Sequence, residues 1–426
     1  MAEPKVRFKQ KDGGSYPAWD RTTFAETFIA INNNTFSRDM LNYEMGEVKN
    51  IHYGDILVKF GDICDIQGDS IPFVNDDVDT SKYVRLINGD IILADTAEDE
   101  TVGKAVEIFN VESDEVISGL HTMACRPIMR YASKFLGYYM NSPAFHNQLR
   151  PFMQGSKVTS IGRSNIVGTI ISYPSSLDEQ KEIANFLTSL DEVITESEAE
   201  IANLETEKIA VIKKLFSREI RFKRDDGSEF SEWKQKTFDE LAEYKKGPFG
   251  SALKKEIFVP RGDTTVKVYE QQNAIGKDWR LERYYITSEY AKKMKSFEVH
   301  AGDIIVSCAG TIGEIYELPV DAEPGIINQA LMRIRINEYE VNKVFFSYIF
   351  DAMLSSEGGR ISNGSALKNI PPFADMKKQL TYVPCLEEQQ LISNFISDFD
   401  EAIAAAKREL ELWRELKKGL LQQMFV

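Results

Sequence analysis

Cysteine and histidine are both scarce, with four of each in 426 residues. Cys64, Cys125, Cys308 and Cys385 stand far apart with no CxxC pair. That spacing excludes a disulfide framework or a structural zinc site and fits a reducing cytoplasm. His52, His121, His146 and His300 form no HExxH or other close-spaced set, so a catalytic metal has no ligand pattern. No run approaches the roughly 18 apolar residues of a membrane span, and the opening MAEPKVRFKQ has no apolar core. Neither a spanning helix nor a secretory signal is expected. A GxxxxGK[ST] phosphate loop and a GxSxG elbow are also missing, which argues against ATP hydrolysis or nucleophilic serine chemistry by this chain.

Positive charge is in deficit as well, with a formal net charge of −15. Residues 178–219 carry 11 acidic side chains against 5 basic, and residues 387–425 carry 8 against 5. Residues 230–386 are balanced at 21 each. More than half of the excess therefore lies on two segments, and local basic surfaces elsewhere stay compatible with nucleic acid.

The chain is written twice. Val6-Arg7-Phe8-Lys9, Asp12-Gly13, Tyr16, Trp19 and Thr23-Phe24 recur 214 residues later as Ile220-Arg221-Phe222-Lys223, Asp226-Gly227, Phe230, Trp233 and Thr237-Phe238. Gly89-Asp90-Ile91-Ile92 recurs as Gly302-Asp303-Ile304-Ile305 and Gly155-Ser156 as Gly364-Ser365. Leu177-Asp178-Glu179-Gln180 recurs as Leu386-Glu387-Glu388-Gln389. An ordered series with slowly drifting offset is the mark of tandem duplication.

Each copy ends in a segment of different character. Residues 178–219 contain no proline or glycine. Ile183, Leu187, Leu190, Ile194, Ser197, Ile201, Leu204, Lys208, Val211 and Leu215 step by alternating four and three. Adding 209 gives Ile392, Ile396, Phe399, Ile403, Ala406, Leu410, Trp413, Lys417, Leu420 and Met424. Such seams predict two helices of about 40 residues, about 60 Å each, that need a partner. Ser176 and Glu179 read as a capping box for the first. Antiparallel pairing of the two seams would place one body at each end of a rod, related by a pseudo-twofold axis. Lys208 and Lys417 either set the register or snorkel out of the seam.

The bodies, 6–177 and 220–386, read as mixed α and β, with strands at 90–93, 303–306 and 331–336 and helices at 134–149 and 343–356. The fold class expected is α+β: two tandem mixed α/β domains separated by a long antiparallel two-helix coiled-coil spacer. The divisions are 1–177, 178–219, 220–386 and 387–426.

Two fragments imitate catalytic motifs. Asn369-Ile370-Pro371-Pro372-Phe373 resembles the Asn-Pro-Pro-Phe motif of amino-methyltransferases, but Ile370 breaks the geometry that holds a base amino group. Glu179-Gln180-Lys181 resembles the end of a nuclease set, yet it opens a helix, and its repeat Glu388-Gln389-Gln390 lacks the lysine. No residue set here supports catalysis.

Other segments suit recognition. Lys245, Lys246, Gly247, Pro248, Phe249, Gly250, Ser251, Lys254 and Lys255 combine cations, backbone amides, a hydroxyl and an apolar ring, a set that can meet phosphates or simply form a polar loop. Tyr269, Gln271, Gln272 and Asn273 offer amides of the kind that pair with adenine edges, or close a strand end. In the first body the counterpart is the acidic stretch 94–104 with Thr96, Thr101 and Lys104, joined by Lys157 and Arg163. Acidic groups there could accept from cytosine amino groups or form a solvated turn. The two frames carry different loops, as two related modules reading different things would.

With these residues in view, the chain resembles the specificity subunit of type I restriction-modification enzymes over essentially its whole length. The resemblance rests on the duplicated helix starts at 177–180 and 386–389, on 247–273, on the Gly-Asp-Ile-Ile…Gly-Thr-Ile-Gly segment at 302–313 and on Gly-Ile-Ile-Asn-Gln-Ala-Leu at 325–331. It implies two target-recognition domains, each reading one half of a bipartite site in double-stranded DNA, with the helices fixing the unread gap. It also implies two modification subunits bringing S-adenosylmethionine for adenine methylation, and restriction subunits bringing ATP- and Mg-dependent translocation and cleavage. The chain itself would bind no cofactor and catalyse nothing. The competing expectation is a coiled-coil scaffold that binds proteins only.

Overall fold

A computed structural model of the chain describes residues 3–155, 157–356 and 373–426. The motif at 369–372, the turn at Gly364-Ser365 and Ser156 lie outside the described residues. The chain divides into two compact units, Met1–Asn203 with Ala404–Val426, and Leu204–Ile403. Each holds one body together with part of each long helix, Leu177–Phe216 and Leu386–Met424.

In the first unit a five-stranded sheet runs in the order Phe28–Ile31, Thr122–Pro127, Ile91–Ala94, Ala105–Phe109, Ile63–Asp65. A second sheet runs Glu115–Ser118, Val48–Ile51, Phe73–Val74, Leu41–Asn42, with the first two strands parallel. The second unit repeats the plan. One sheet orders Ala242–Lys246, Leu331–Ile336, Ile304–Ser307, Ile315–Glu317. The other orders Tyr284–Thr287, Thr265–Tyr269, Gly325–Ile327, Glu298–Val299, and its central pair is parallel. A ribbon joins the start and end of each body, Trp19–Thr23 with Ile170–Pro174 and Lys234–Thr237 with Leu380–Val383.

The repeated residues take the same structural roles in both bodies. Gly89 and Gly302 adopt φ of 90° and 84°, which suits glycine at the turn into a central strand. The following Asp90 and Asp303 accept from the backbone of Ile87 and His300 and take two hydrogen bonds each, from Arg126 and Arg335. Thr23 with Glu26 and Thr237 with Glu240 form capping boxes on short helices. The helix expected at 134–149 is two, Phe135–Asn141 and Pro143–Leu149. Pro143 has no N–H to continue the ladder and starts a new helix instead.

Glu179 does not cap its helix through Ser176. Its fully buried carboxylate receives Arg7 Nε and Nη2 at 2.9 and 2.8 Å and faces Trp19 Nε1 at 3.5 Å. Glu388 is held in the same way by Arg221 at 3.1 and 2.9 Å and by Trp233 Nε1 at 3.1 Å. Gln180 accepts from Ala132 N and donates to Pro174 O, and Gln389 accepts from Asn342 N and donates to Pro384 O. Both helix starts are thus bolted to their own bodies.

Within each unit the helices run antiparallel. In the first, Asp191 meets Lys417 and Glu198 meets Arg414. In the second, Lys208 meets Asp400, while Leu215 shares a core with Ile392 and Ile396. The seam lysines do not snorkel into water. Lys417 bridges Asp62 and Asp191, and Tyr138 donates to Asp191 at 2.8 Å. Lys208 pairs with Asp400, to which Tyr348 donates at 2.8 Å. Burial pulls the Lys417 ammonium down, but Asp62 and Asp191 outweigh it and hold the charge in place.

Truncating one partner of a buried carboxylate leaves an uncompensated charge, which costs about 3–5 kcal/mol. Arg7→Ala should therefore destabilise the first body by about 3 kcal/mol, and Arg221→Ala the second. Hydrogen exchange checks this: each variant should lose amide protection in its own body and keep it in the other.

Candidate nucleic-acid interface

In the second body four strands end close together. After Ala242–Lys246 comes the 247–258 loop, and after Thr265–Tyr269 a short helix, Gln271–Ile275. The turn 308–313 follows Ile304–Ser307, and Asn328 follows Gly325–Ile327. Asn328 N donates to Tyr269 O, Cys308 N to Ala330 O, and Gly247 N to Leu331 O. A Cβ on Gly247 would lie 1.8 Å from the Asn328 carbonyl oxygen, so glycine is required for this approach. A Cβ on Gly310 would lie 3.5 Å from Gln271 Nε2, which puts that amide beside the 308–313 turn.

The side chains at this rim are cations, amides and hydroxyls. Lys246, Phe249, Gly250, Ser251, Lys254 and Lys255 are exposed, and Lys245 lies over the Phe297 ring at 4.9 Å. Gln272, Thr311 and Gln329 are exposed, while Gln271 and Asn328 are half-buried. Pro248 is buried and anchors its loop. Two expected contact residues are scaffold instead. Tyr269 is fully buried and donates to Glu323 O at 2.6 Å. Asn273 is buried, donates to Asp278 O and Leu281 O, and accepts from Glu270 N, so both its N–H groups are spent and it cannot make the paired donor–acceptor contact that reads adenine. Burial pushes the Cys308 thiol up to about 12, against the pull of nearby Lys246, so it is not a thiolate.

The equivalent strand ends of the first body gather different chemistry. Asn33 donates to Gly119 O, and Tyr53 packs edge-on against His121 with ring centroids 5.3 Å apart. His121 Nδ1 lies 3.4 Å from Asp95 and 3.5 Å from Thr96 Oγ1. Arg163 donates to Ile31 O at 3.3 Å, next to the same strand end. The strand Thr159–Ser160 pairs with Thr96–Ala97 and carries exposed Lys157 on the adjoining turn.

Lys104 and Thr101 are occupied elsewhere. Lys104 donates to Phe60 O at 2.6 Å at the end of the helix Tyr53–Val58, and burial lowers its pKa. Thr101 closes the 99–101 turn on Asp99. Asn33, His52, Tyr53, His121, Thr311, Asn328 and Gln329 were not picked out from the sequence as site residues. For Asn328 and Gln329 the signal was the 325–331 segment; for the others only the duplicated topology reveals them. Among the described residues no group of acidic, histidine or cysteine side chains could hold a metal, and no helix is long and apolar enough to cross a membrane.

The family described as "Type I restriction modification DNA specificity domain" matches residues 37–206 and 230–412. A putative type I restriction enzyme MjaX specificity subunit from Methanocaldococcus jannaschii is 23% identical over 428 residues, covering 97% of this chain and 94% of that one. The MjaVIII specificity subunit of the same organism is 24% identical over 258 residues, 58% of this chain and 59% of that one. Among solved structures, the S subunit of a type I restriction-modification system from M. genitalium matches with a TM-score of 0.52 at 14% identity, covering 100% of this chain and 99% of that one. A chain from a study of assembly and conformational transition of the type I R-M system matches with a TM-score of 0.62 at 15% identity, covering 95% and 97%.

His52 lies beneath the first-body rim. Burial, with Arg38 nearby, holds its pKa down at about 4, and Nδ1 accepts from Gly54 N at the start of the helix Tyr53–Val58. An unfolded histidine near 6.5 binds a proton over a range where the folded one does not, so stability is complete above about 6.5 and falls towards pH 4. Hydrogen exchange should show this helix losing on the order of 2–3 kcal/mol of protection across that window. His52→Asn, which can still cap, should flatten the dependence.

Proposed function

The chain belongs to the type I restriction-modification DNA specificity family, and from that membership we propose that it reads a bipartite DNA site without catalysing any step itself. The family match comprises two recognition domains. In this reading, residues 1–177 and 220–386 each take one half-site, and the helical segments 178–219 and 387–426 set the unread gap. The observation that carries it is the pair of strand-end clusters: the same four strand positions present lysines and amides in one body and histidine, tyrosine and aspartate in the other. Equivalent positions with different donor and acceptor sets would read different bases.

Base readout gives specificity, and phosphate contacts give affinity and register. Lys245, Lys246, Lys254 and Lys255 would supply the second, with Gln271, Gln272, Thr311 and Gln329 placed for the first. Tyr269 and Asn273 hold the rim in shape. In the first body Thr96, His121, Asn33 and Tyr53 would face bases, with Lys157 on phosphate. The chain holds no cofactor in this reading. Two modification subunits would bring S-adenosylmethionine for adenine methylation and restriction subunits ATP and Mg, in the cytoplasm. With a net charge of −15, the isolated chain would bind DNA weakly and depend on partners for phosphate neutralisation.

Modification-sensitive sequencing of DNA from cells coexpressing this chain with its modification subunit tests the reading. A split, asymmetric methyladenine motif is expected, and exchanging 220–386 should change one half only. Replacing Lys245, Lys246, Lys254 and Lys255 by alanine should weaken DNA binding by the complex uniformly and reduce its salt slope by up to about four. Unchanged DNA binding by that variant would favour the protein-scaffold alternative. Inserting four residues after both Ile201 and Leu410 adds about 6 Å to the helices and should lengthen the gap by on the order of two base pairs, with both half-sites unchanged. Altered half-sites with an unchanged gap would overturn the ruler.

A further inference from the structure

The most exposed aromatic side chain at either rim is Phe249, 89% accessible at the tip of the 247–253 turn. A single exposed apolar side chain is common, as at Tyr339, 92% accessible, so what sets Phe249 apart is its rigid support and its place among lysines at the rim. The turn beneath it is not slack. Gly247 approaches Asn328 too closely for any other residue, and Pro248 is buried. Ala252 N donates to Phe249 O at 2.8 Å, and Tyr290 donates to Ala252 O at 2.8 Å. Leu253 is set in a core with Val268, Ile286, Met294 and Ile326. The ring is therefore held out on an anchored support.

Its surroundings specify the occupant. Lys245, Lys246, Lys254 and Lys255 flank it, and among the described residues none has an acidic side chain within ion-pairing distance. A surface that is anionic at its edges and offers a π-face at its centre is nucleic acid, whose base steps accept apolar side chains as wedges while lysines hold the phosphates. The first body has no equivalent projection at this strand end. Asn34 folds inward onto Asn50 and Ser118, and Phe36 is buried against Tyr83.

We infer that the Phe249 ring is a wedge that enters a base step of the half-site read by the second body and opens the stack there. The inference rests on the DNA-reading function proposed above and deepens it for one half only. A methyltransferase must extrude its target base from the duplex, and opening the neighbouring step lowers that cost. Phe249 is thus a positioning residue, acting on DNA conformation rather than on the reacting atoms.

The test uses the assembled complex with its modification subunits and duplexes carrying its own methylation site. Phe249→Ala should slow methylation of the second-body half about ten-fold or more, while the other half, an internal control in the same complex, proceeds as in the wild type. On a duplex mismatched at the second-half target, where stacking is already disrupted, the variant should come within about two-fold of the wild type. Phe249→Leu, still apolar, should fall between the two. An unchanged rate on paired DNA overturns the wedge, and so does an equal loss on paired and mismatched DNA, which would make Phe249 a binding contact only. A wild-type complex that binds and methylates no DNA would overturn the DNA-reading function itself, a failure separate from that of the wedge.

Discussion

Everything in each unit hangs on one buried carboxylate at the first turn of a long helix. Glu179 and Glu388 are taken wholly out of water, and each is made tolerable by a two-pronged arginine and a tryptophan N–H drawn from the opening residues of its own body. A charge buried this way is costly unless its partners are in place. The clasp can therefore form only when the body's start and the helix have met. It links residues more than 150 positions apart and converts a heptad segment into an extension of a folded body.

A second layer of the same logic sits further along the helices. A lysine in an apolar seam would be a defect unless matched, and each is matched within its unit by an aspartate on the facing helix and a tyrosine from the body. These contacts accept only one register, because a slip of a turn would strand a charge in the seam. Above this frame, the bodies keep their sheets and vary the loops at four strand ends. The conserved part supplies rigidity, and the variable part supplies donors and acceptors.

Much of the frame was legible because duplication exposes what both copies need. The arginine, tryptophan, Gly-Asp turn, threonine cap and Glu-Gln pair each occur twice, and in the structure the arginine and tryptophan prove to be partners of the glutamate in both copies. Their pairing was not legible, which is why Glu179 read as a cap: a local hydrogen bond is the simpler inference when the competing arginine is 172 residues away. The split at Pro143 was visible in principle, since proline ends the preceding hydrogen-bond ladder. At the rim, the lysine loop announced itself by composition. Tyr269 and Asn273 misled for the same reason, since polar residues at a strand end look alike whether they face solvent or are spent on backbone carbonyls.

The sequence alone determined the duplication, the mixed α and β bodies and the heptad seams, because each is a property of spacing or residue type along the chain. Only the tertiary structure decided which residues share a rim. Asn33, Tyr53, Thr96 and His121 come from four separate strand ends, as do Gly247, Gln271, Gly310 and Asn328. Their convergence is a consequence of sheet order, which brings strands remote in sequence side by side. Burial likewise belongs to the folded state: whether an amide can meet a ligand depends on the carbonyls that folding places around it.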